Sequence, residues 1–132
     1  MAGSYDAYSR SKYREKEKKE AHMAHYAGEI KRVATRTPII TAGRIKTPET
    51  AERILREGTA DLIGLARVLL ADPLWPKKAK GEVREAIVEC DPNCSFCMKR
   101  TASGKPAFCA RWAKLRREAF LAKTGETLEG SD

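Results

Sequence analysis

Two short apolar runs separated by an amphipathic stretch organise the centre of the chain. Thr37–Ala42 is apolar and rich in β-branched residues, and Ala60–Leu65 is a second apolar run. Such runs are typical of strands that are buried on both faces of a sheet. Between them Thr47 can cap a helix, Pro48 suits its first turn and Gly58 can end it. The pattern therefore predicts a βαβ unit with two parallel strands, which is an α/β architecture.

Apolar residues at helical spacing predict three further helices. They fall at Glu15–Thr35, within Leu74–Val88 after a turn at Asp72-Pro73, and at Ala110–Lys123. Each shows apolar residues every three or four positions, which produces one apolar face. In the last of these helices we expect Trp112 to anchor the helix to a core rather than to relay electrons.

The charge of the chain bears on which classes of partner it binds. Of its 132 residues, 26 are Lys or Arg and 18 are Asp or Glu, for a formal net charge of +8. Much of the excess lies at 10–19, where basic residues are mixed with Glu, and at 111–117. Both segments resemble solvated helix faces, and no nucleic-acid-binding motif accompanies the charge. No apolar run approaches the roughly 20 residues that cross a bilayer, and the polar N-terminus has no signal-peptide core. We expect a cytoplasmic protein that binds neither nucleic acid nor membrane.

All four cysteines fall in one window with the spacing C-x3-C-x2-C-x11-C: Cys90, Cys94, Cys97 and Cys109. In a cytosolic chain such clustering favours metal or cluster ligation over disulfides. A tight loop would present the first three thiols, and a turn at 104–106 would return the fourth. Zinc, an iron–sulfur cluster and plain reduced thiols all remain open at this point.

Two histidines lie three positions apart on the first predicted helix. His22 and His25 could share a metal ion in principle. Because no third ligand is near them in sequence, we interpret them as ordinary helix residues and assign them no site.

The stretch Asp61–Pro73, DLIGLARVLLADP, and the preceding Thr41–Ile45, TAGRI, carry a family resemblance. Together they resemble the seventh and eighth strands of the old yellow enzyme family, the NADH:flavin oxidoreductases, which bind FMN in a (β/α)8 barrel. The resemblance implies that this chain is the C-terminal fragment of such a TIM barrel, comprising strands 7 and 8 with flanking helices, followed by a Cys-rich loop and a C-terminal helix. A whole barrel needs roughly 250 residues, so the first six strands would lie outside this chain.

Composition and the resemblance together predict a domain layout. Residues 1–14 would be an irregular N-terminal segment and 15–88 a partial barrel with FMN phosphate loops. Residues 89–123 would carry the four-cysteine motif and an amphipathic helix, and 124–132 would be a disordered tail.

The resemblance further implies a binding site for the FMN phosphate. In such barrels the loops after strands 7 and 8 commonly hold a phosphate through backbone N–H groups, and an Arg adds a charge-assisted hydrogen bond. The implied cofactor-binding residues are Ala42, Gly43, Arg44, Leu65, Ala66 and Arg67. Many family members have Gly in place of Ala66, so the methyl group here can crowd the phosphate without removing the backbone donor.

A branch of the family suggests what the cysteines bind. The 2,4-dienoyl-CoA reductase and trimethylamine dehydrogenase type carries a 4Fe-4S cluster just beyond the barrel, on three close cysteines and a fourth about a dozen residues on. The resemblance therefore implies that Cys90, Cys94, Cys97 and Cys109 are cluster ligands, although the x3 gap precedes the x2 gap here. The alternative interpretation is a small structural zinc-binding or interaction module without catalytic activity.

The implied function is that of an FMN-dependent oxidoreductase part. NAD(P)H and a small-molecule acceptor would be partners of the complete enzyme, and a chain carrying the missing barrel strands would be a further partner. No catalytic residue is assigned within this chain, because the family's catalytic residues come from earlier strands.

Overall fold

The computed structural model describes residues 20–91 and 93–126. The chain divides into two compact units, a first unit that ends at Ala66 and a second unit that begins at Arg67. The predicted irregular segment 1–14 and residues 127–132 of the predicted tail lie outside the described residues. Of the helices in the described ranges, none combines the length and the apolar character needed to span a bilayer.

Helices and strands alternate in the first unit, whereas every regular element in the described part of the second unit is a helix. The first unit contains helix α1 (Ala24–Val33), strand β1 (Ile40–Thr41), helix α2 (Pro48–Arg56) and strand β2 (Leu62–Ile63). The second unit contains helices α3 (Arg67–Ala71), α4 (Trp75–Ala79), α5 (Phe96–Ala102) and α6 (Lys114–Thr124).

The predicted βαβ unit is confirmed. Strands β1 and β2 are adjacent and parallel, with Ile40 opposite Leu62 and Thr41 opposite Ile63. The ladder continues past β2, where the Gly64 N–H donates to the Thr41 carbonyl at 2.7 Å. Helix α2 connects the strands and buries Ile54, which is 1% exposed. The carboxyl ends of the two strands therefore lie side by side, as the apolar pattern predicts.

The start of α2 follows the predicted cap. The Thr47 hydroxyl accepts a hydrogen bond from the Thr50 N–H at 3.3 Å, and Pro48 occupies the first turn. The Glu20 carboxylate adds a second layer by accepting from the backbone N–H groups of Lys46 at 2.7 Å and Thr47 at 2.9 Å. Burial opposes ionisation of Glu20, but these hydrogen bonds outweigh it and hold its pKa below the usual range. The first backbone N–H groups of a helix have no partner within it, and α2 begins where side chains accept from them.

The strands are shorter and more exposed than predicted. Each has two residues, and Ile40 is 63% exposed and Leu62 52% exposed. The expectation of burial on both faces was wrong for this chain, because the sheet formed by the described residues has only two strands. Apolar side chains on such a small sheet have no second layer to cover them.

An aromatic cluster forms the core of the second unit. Phe108 is 1% exposed, and its ring lies 5.1 Å from Phe96, 5.7 Å from Phe120 and 6.1 Å from Trp112, measured between centroids. The Trp112 indole N–H donates to the Leu70 carbonyl at 2.7 Å, which ties the segment before α6 to α3. The prediction that Trp112 is a core anchor is confirmed.

The helix predicted within Leu74–Val88 is mostly absent. Helix α4 ends at Ala79, Gly81 has φ +74°, and residues 82–88 are not helical. The reason is tertiary: the Val88 N–H and the Ala86 carbonyl bind the side chains of Asp72 and Lys78 instead of helical partners. Long-range hydrogen bonds thus override the local helical spacing.

The other helix boundaries differ in detail. Helix α1 begins at Ala24 after a turn, and the predicted start at Glu15 lies outside the described residues. Helix α6 begins at Lys114, four residues later than predicted, and runs through Thr124 to a left-handed Gly125 cap. Helix α5 was not predicted, since 96–102 was interpreted as part of a cysteine-bearing loop. The predicted turns at Asp72-Pro73 and at 104–106 are present.

Candidate functional site

All four cysteines line one cavity of about 210 Å³ in the second unit, here called the cysteine cavity. The rest of its wall is formed by Arg67, Leu70, Asp91, Ala110 and Arg111. Each cysteine is a free thiol and is half-buried. The four cysteines, which are spread from Cys90 to Cys109 in the sequence, therefore lie around one cavity, as their clustering predicted.

Short-range hydrogen bonds shape the loop between the first two cysteines. The Asp91 carboxylate accepts from the Asn93 N–H at 2.8 Å, and the Asp91 carbonyl accepts from the Cys94 N–H at 3.2 Å. The third cysteine, Cys97, lies in the first turn of α5, where its carbonyl accepts from the Thr101 hydroxyl at 3.0 Å. A turn followed by a short helix thus presents three thiols in the place of the loop predicted from the sequence.

The fourth cysteine is placed by the aromatic cluster and by Arg100. The Arg100 guanidinium lies 4.6 Å from the centre of the Phe108 ring and donates from Nε to the Pro106 carbonyl at 2.8 Å. It also pairs with Glu126. Because Cys109 directly follows Phe108, the buried ring fixes the point at which this thiol returns to the cavity. Nothing in the sequence pattern predicts this role of Arg100.

A buried ion pair holds the segment that leads to Cys90. Lys78 Nζ lies 2.7 Å from Asp72 Oδ2, and both side chains are 5% exposed. Asp72 also accepts from the Val88 N–H at 2.9 Å and the Leu74 N–H at 3.0 Å, while Lys78 donates to the Ala86 carbonyl at 2.9 Å. Burial opposes ionisation of Asp72, but Lys78 and the two N–H groups outweigh it and keep its pKa below the usual range. The sequence placed Asp72 in a predicted turn and in the stretch that carries the family resemblance, and neither observation indicates this ion pair.

Burial is the largest influence on the ionisation of the Cys90 thiol. Burial raises the pKa of the Cys90 thiol, the positive charge of Arg67 opposes that rise, and the other three thiols add to it. As the side chains stand, the described ranges contain no group of three or more His, Cys, Asp or Glu residues that could hold a metal ion. The side chain of Arg67, predicted to bind a flavin phosphate, lines this cavity.

The predicted phosphate loops begin at the two strand ends of the first unit. Gly43 has φ +111° and Arg44 has φ +54°. A Cβ at Gly43 would lie 2.9 Å from Met23 Cγ and 3.2 Å from His22 Cε1, so only glycine fits there without strain. A Cβ at Gly64 would lie 3.1 Å from the Cβ of Ala42, which shows how closely the two strand ends approach.

Two buried polar atoms flank the first of these loops. Neither Thr41 Oγ1 nor His22 Nδ1 has a hydrogen-bond partner in the part of the chain that the structure describes. Ala42 is exposed, as is Ala66 after the second strand, and Leu65 is half-buried. The ring of His25 packs against the ring of Tyr26, with 3.7 Å between their centroids and 40° between their planes. Buried polar atoms without a partner need an explanation, and an ion or other group bound beside them is one such explanation.

Comparison with known proteins identifies the family. Residues 3–85 match the model of the NADH:flavin oxidoreductase / NADH oxidase family. The chain belongs to this family. Membership implies the TIM-barrel fold class and agrees with the resemblance found in the sequence. The match includes both strands and both predicted phosphate loops, and it ends before the first cysteine.

Relatives extend the similarity beyond that match. A metal reductase of Desulforamulus reducens is 41% identical over 97 residues, which cover 74% of this chain and 14% of the relative. An NADH oxidase of Thermoanaerobacter brockii is 47% identical over 74 residues, covering 53% of this chain and 11% of the relative. The solved structure of a 2-naphthoyl-CoA reductase with 2-naphthoyl-CoA matches with a TM-score of 0.67 and 29% identity, over 77% of this chain and 16% of that chain. The chain thus spans a small fraction of the length of these relatives.

Proposed function

We propose that this chain is the C-terminal part of an FMN-dependent NADH:flavin oxidoreductase, contributing the flavin phosphate loops and the ligands of a 4Fe-4S cluster. Its two strands would be the seventh and eighth of the barrel. Family membership supports the contribution of flavin phosphate loops. Relatives match 53% to 77% of the chain, which supports a shared fold. The convergence of four cysteines on one cavity carries the second role.

The phosphate site is proposed at Ala42, Gly43, Arg44, Leu65 and Ala66, whereas Arg67, which the family resemblance assigns to the same site, lines the cysteine cavity. Parallel strands present their last backbone groups at one edge of the sheet, where loops commonly bind phosphate. The positive φ at Gly43 and Arg44 turns successive peptide groups as in an anion-binding nest. The unpartnered Thr41 hydroxyl and His22 Nδ1 beside this loop fit a ligand with polar oxygens.

The cluster site is proposed at Cys90, Cys94, Cys97 and Cys109. A water molecule needs only about 10–15 Å³ of cavity volume measured in this way. The cysteine cavity, at about 210 Å³, therefore has room for an occupant of several atoms rather than a single ion. Four thiols, two nearby arginines and a largely apolar remainder suit an iron–sulfur cluster, whose ligands are thiolates.

The chemistry of the complete enzyme would be that of its cofactors. When bound, FMN supplies hydride chemistry and the cluster supplies one-electron transfer, while the protein positions them. NAD(P)H and a small-molecule acceptor are the proposed substrates, and the groups that contact them would come from the earlier strands. Within this chain the residues named above bind and orient cofactors.

The exposed strand faces are consistent with a missing part of the barrel. Ile40 and Leu62 are 63% and 52% exposed at the centre of the two-stranded sheet. An apolar two-stranded sheet is unstable in water until other strands or helices cover it. We propose that the remaining strands, in the same or a partner chain, pack there.

Reconstitution tests the cluster assignment. The chain is incubated anaerobically with ferrous iron and sulfide, then examined by visible spectroscopy and by iron and sulfide analysis. We expect broad iron–sulfur absorption and uptake of both elements, lost in Cys94→Ser and Cys97→Ser but retained in Ser95→Ala, a neighbour that does not line the cysteine cavity. A colourless protein that takes up one zinc ion instead would establish the structural zinc module.

Comparing FMN with riboflavin tests the phosphate assignment, because the two differ only in the phosphate group. In the complete enzyme we expect FMN to bind at least tenfold more tightly, and Gly43→Val to remove most of that preference. Gly58→Val, which also replaces a left-handed glycine but lies outside the loops, is the control. Equal binding of FMN and riboflavin by the unaltered protein would argue against the site.

A further inference from the structure

Arg67 occupies a position that its assignment to a phosphate loop does not account for. It is the first residue of α3, is half-buried, and its side chain forms part of the wall of the cysteine cavity. Ala66, the residue before it in the chain, belongs to the proposed phosphate loop.

Two other charged side chains line the same cavity. Arg111 is exposed and uses its guanidinium to donate to the Glu89 carbonyl at 3.2 Å. Asp91 carries the opposite charge, and its Oδ1 accepts from the Asn93 N–H. Solvent screens exposed charges more effectively than half-buried ones. Of the two arginines that line the cavity, Arg67 is therefore the one whose charge solvent screens less.

We propose that Arg67 is the cationic partner of the iron–sulfur cluster and raises the reduction potential of that cluster. The inference rests on the proposed function, since it requires the cluster to be bound. Reduction adds one electron and no proton, so the bound cluster gains one negative charge. A fixed positive charge at the cavity wall stabilises this more negative state and favours reduction.

Arginine suits this location. Guanidinium keeps its charge at every physiological pH and has five N–H donors, so it can pair with sulfur while partly desolvated. A lysine at this position would preserve the charge but not the planar set of donors. The two substitutions Arg67→Lys and Arg67→Gln therefore separate charge from geometry.

The experiment measures the potential of the reconstituted cluster in the full chain. Dithionite is the electron donor, and the reduced cluster is followed by electron paramagnetic resonance at controlled potentials. We expect Arg67→Gln to lower the equilibrium constant for one-electron reduction about tenfold, equivalent to a shift of about 59 mV to more negative potential. Arg67→Lys should stay within about twofold of the unaltered chain, and Arg111→Gln should fall about two- to threefold because that side chain is exposed.

Arg84→Gln is the matched control, since it removes the same charge from an exposed residue that does not line the cavity. Circular dichroism establishes that each variant is folded. Loss of the cluster from Arg67→Gln with retention in Arg67→Lys and Arg84→Gln would also support pairing by charge.

Different results would overturn different conclusions. Equal potentials in Arg67→Gln and Arg84→Gln, with the cluster intact in both, would refute the role of Arg67 while leaving the cluster assignment standing. Loss of the cluster from both Arg67→Lys and Arg67→Gln would refute charge as the cause. Failure of the unaltered chain to take up iron and sulfide would overturn the proposed function and this inference together.

Discussion

The two units of this chain build their candidate sites in opposite ways. In the first unit the site is made of backbone: two strand ends, a glycine with φ +111° and the residue after it with φ +54°. In the second unit it is made of side chains, with four thiols and two arginines around a cavity. An aromatic cluster forms the core of that unit. A backbone site needs small residues and special dihedral angles, whereas a side-chain site needs a core that fixes the positions of distant residues.

This difference determines how each site should respond to mutation. The cavity of the second unit is supported by a few buried contacts between distant residues, such as Trp112 with Leu70. The first unit relies on a local ladder and a capped helix, in which single side chains carry less of the free energy of folding. Substitutions in the second unit should therefore have the larger effects.

Replacing Phe108 should have the largest effect. Phe108→Ala removes a ring that is 1% exposed and that touches three other aromatic rings, at an expected cost of about 3–5 kcal/mol. Urea unfolding followed by tryptophan fluorescence measures it, because both tryptophans of the chain, Trp75 and Trp112, lie in the second unit. Leu115→Ala, at a residue that is 80% exposed, is the control and should change stability by less than about 0.5 kcal/mol. Similar effects of the two substitutions would mean that the aromatic cluster does not support this unit.

Breaking the Asp72–Lys78 pair should come next. Lys78→Met leaves a carboxylate that is 5% exposed without its cation, and we expect a loss of about 3 kcal/mol at neutral pH. Lys80→Met is the control, since Lys80 is 73% exposed and lies 4.0 Å from its acidic partner. The measurement is again urea unfolding by tryptophan fluorescence.

The pH dependence of this pair has a definite sign. The folded pKa of Asp72 is lowered, so its stabilising effect is present above its unfolded pKa of about 4 and is lost as pH falls through the folded value. The difference in stability between the unaltered chain and Lys78→Met should therefore shrink below about pH 4. A difference that stays constant from pH 7 to pH 3 would show that the pair is not ionised in the folded chain.

The contrast also explains which parts of the structure were predictable from the sequence. Helix α2 was predicted with its cap and its end because Thr47, Pro48 and Gly58 act within one short window. The helix expected to include Ile87 was wrong, because hydrogen bonds from Asp72 and Lys78 across the unit decide the conformation there. Local signals were sufficient where local contacts dominate the folding free energy.

The candidate sites follow the same division. The spacing of the cysteines indicated that they share one centre, yet helix α5 under Cys97 and the return of Cys109 through Phe108 depend on tertiary packing. Family resemblance pointed to Arg67 as a phosphate contact, but no pattern in the sequence indicates that its side chain lines the cysteine cavity. Residue types reveal which groups are available for chemistry, and the fold decides which of them meet.

A methyl group at Gly43 should have an intermediate effect. In Gly43→Ala the new Cβ would lie 2.9 Å from Met23 Cγ at a φ of +111°, which combines a clash with backbone strain, and we expect a cost of about 2 kcal/mol. Gly58→Ala, at φ +66° in open space, tests the strain alone and should cost about 1 kcal/mol. Amide hydrogen exchange in α2 reports the stability of the first unit. If both variants cost the same, the close approach of Met23 and His22 contributes nothing.

Removing the cap of α2 should have the smallest effect of the four. Thr47→Ala deletes the hydroxyl that accepts from the Thr50 N–H and donates to Glu20 at 3.2 Å, and caps of this kind contribute about 1 kcal/mol. The Glu20 carboxylate would still accept from the backbone N–H groups of Lys46 and Thr47, because the substitution leaves those donors in place. We therefore expect faster hydrogen exchange confined to the first turn of α2, with Thr35→Ala, an exposed threonine outside the helices, as the control. If exchange instead accelerates along the whole helix, one side chain determines the stability of the first unit. The two units would then no longer differ in whether backbone or side-chain contacts stabilise them.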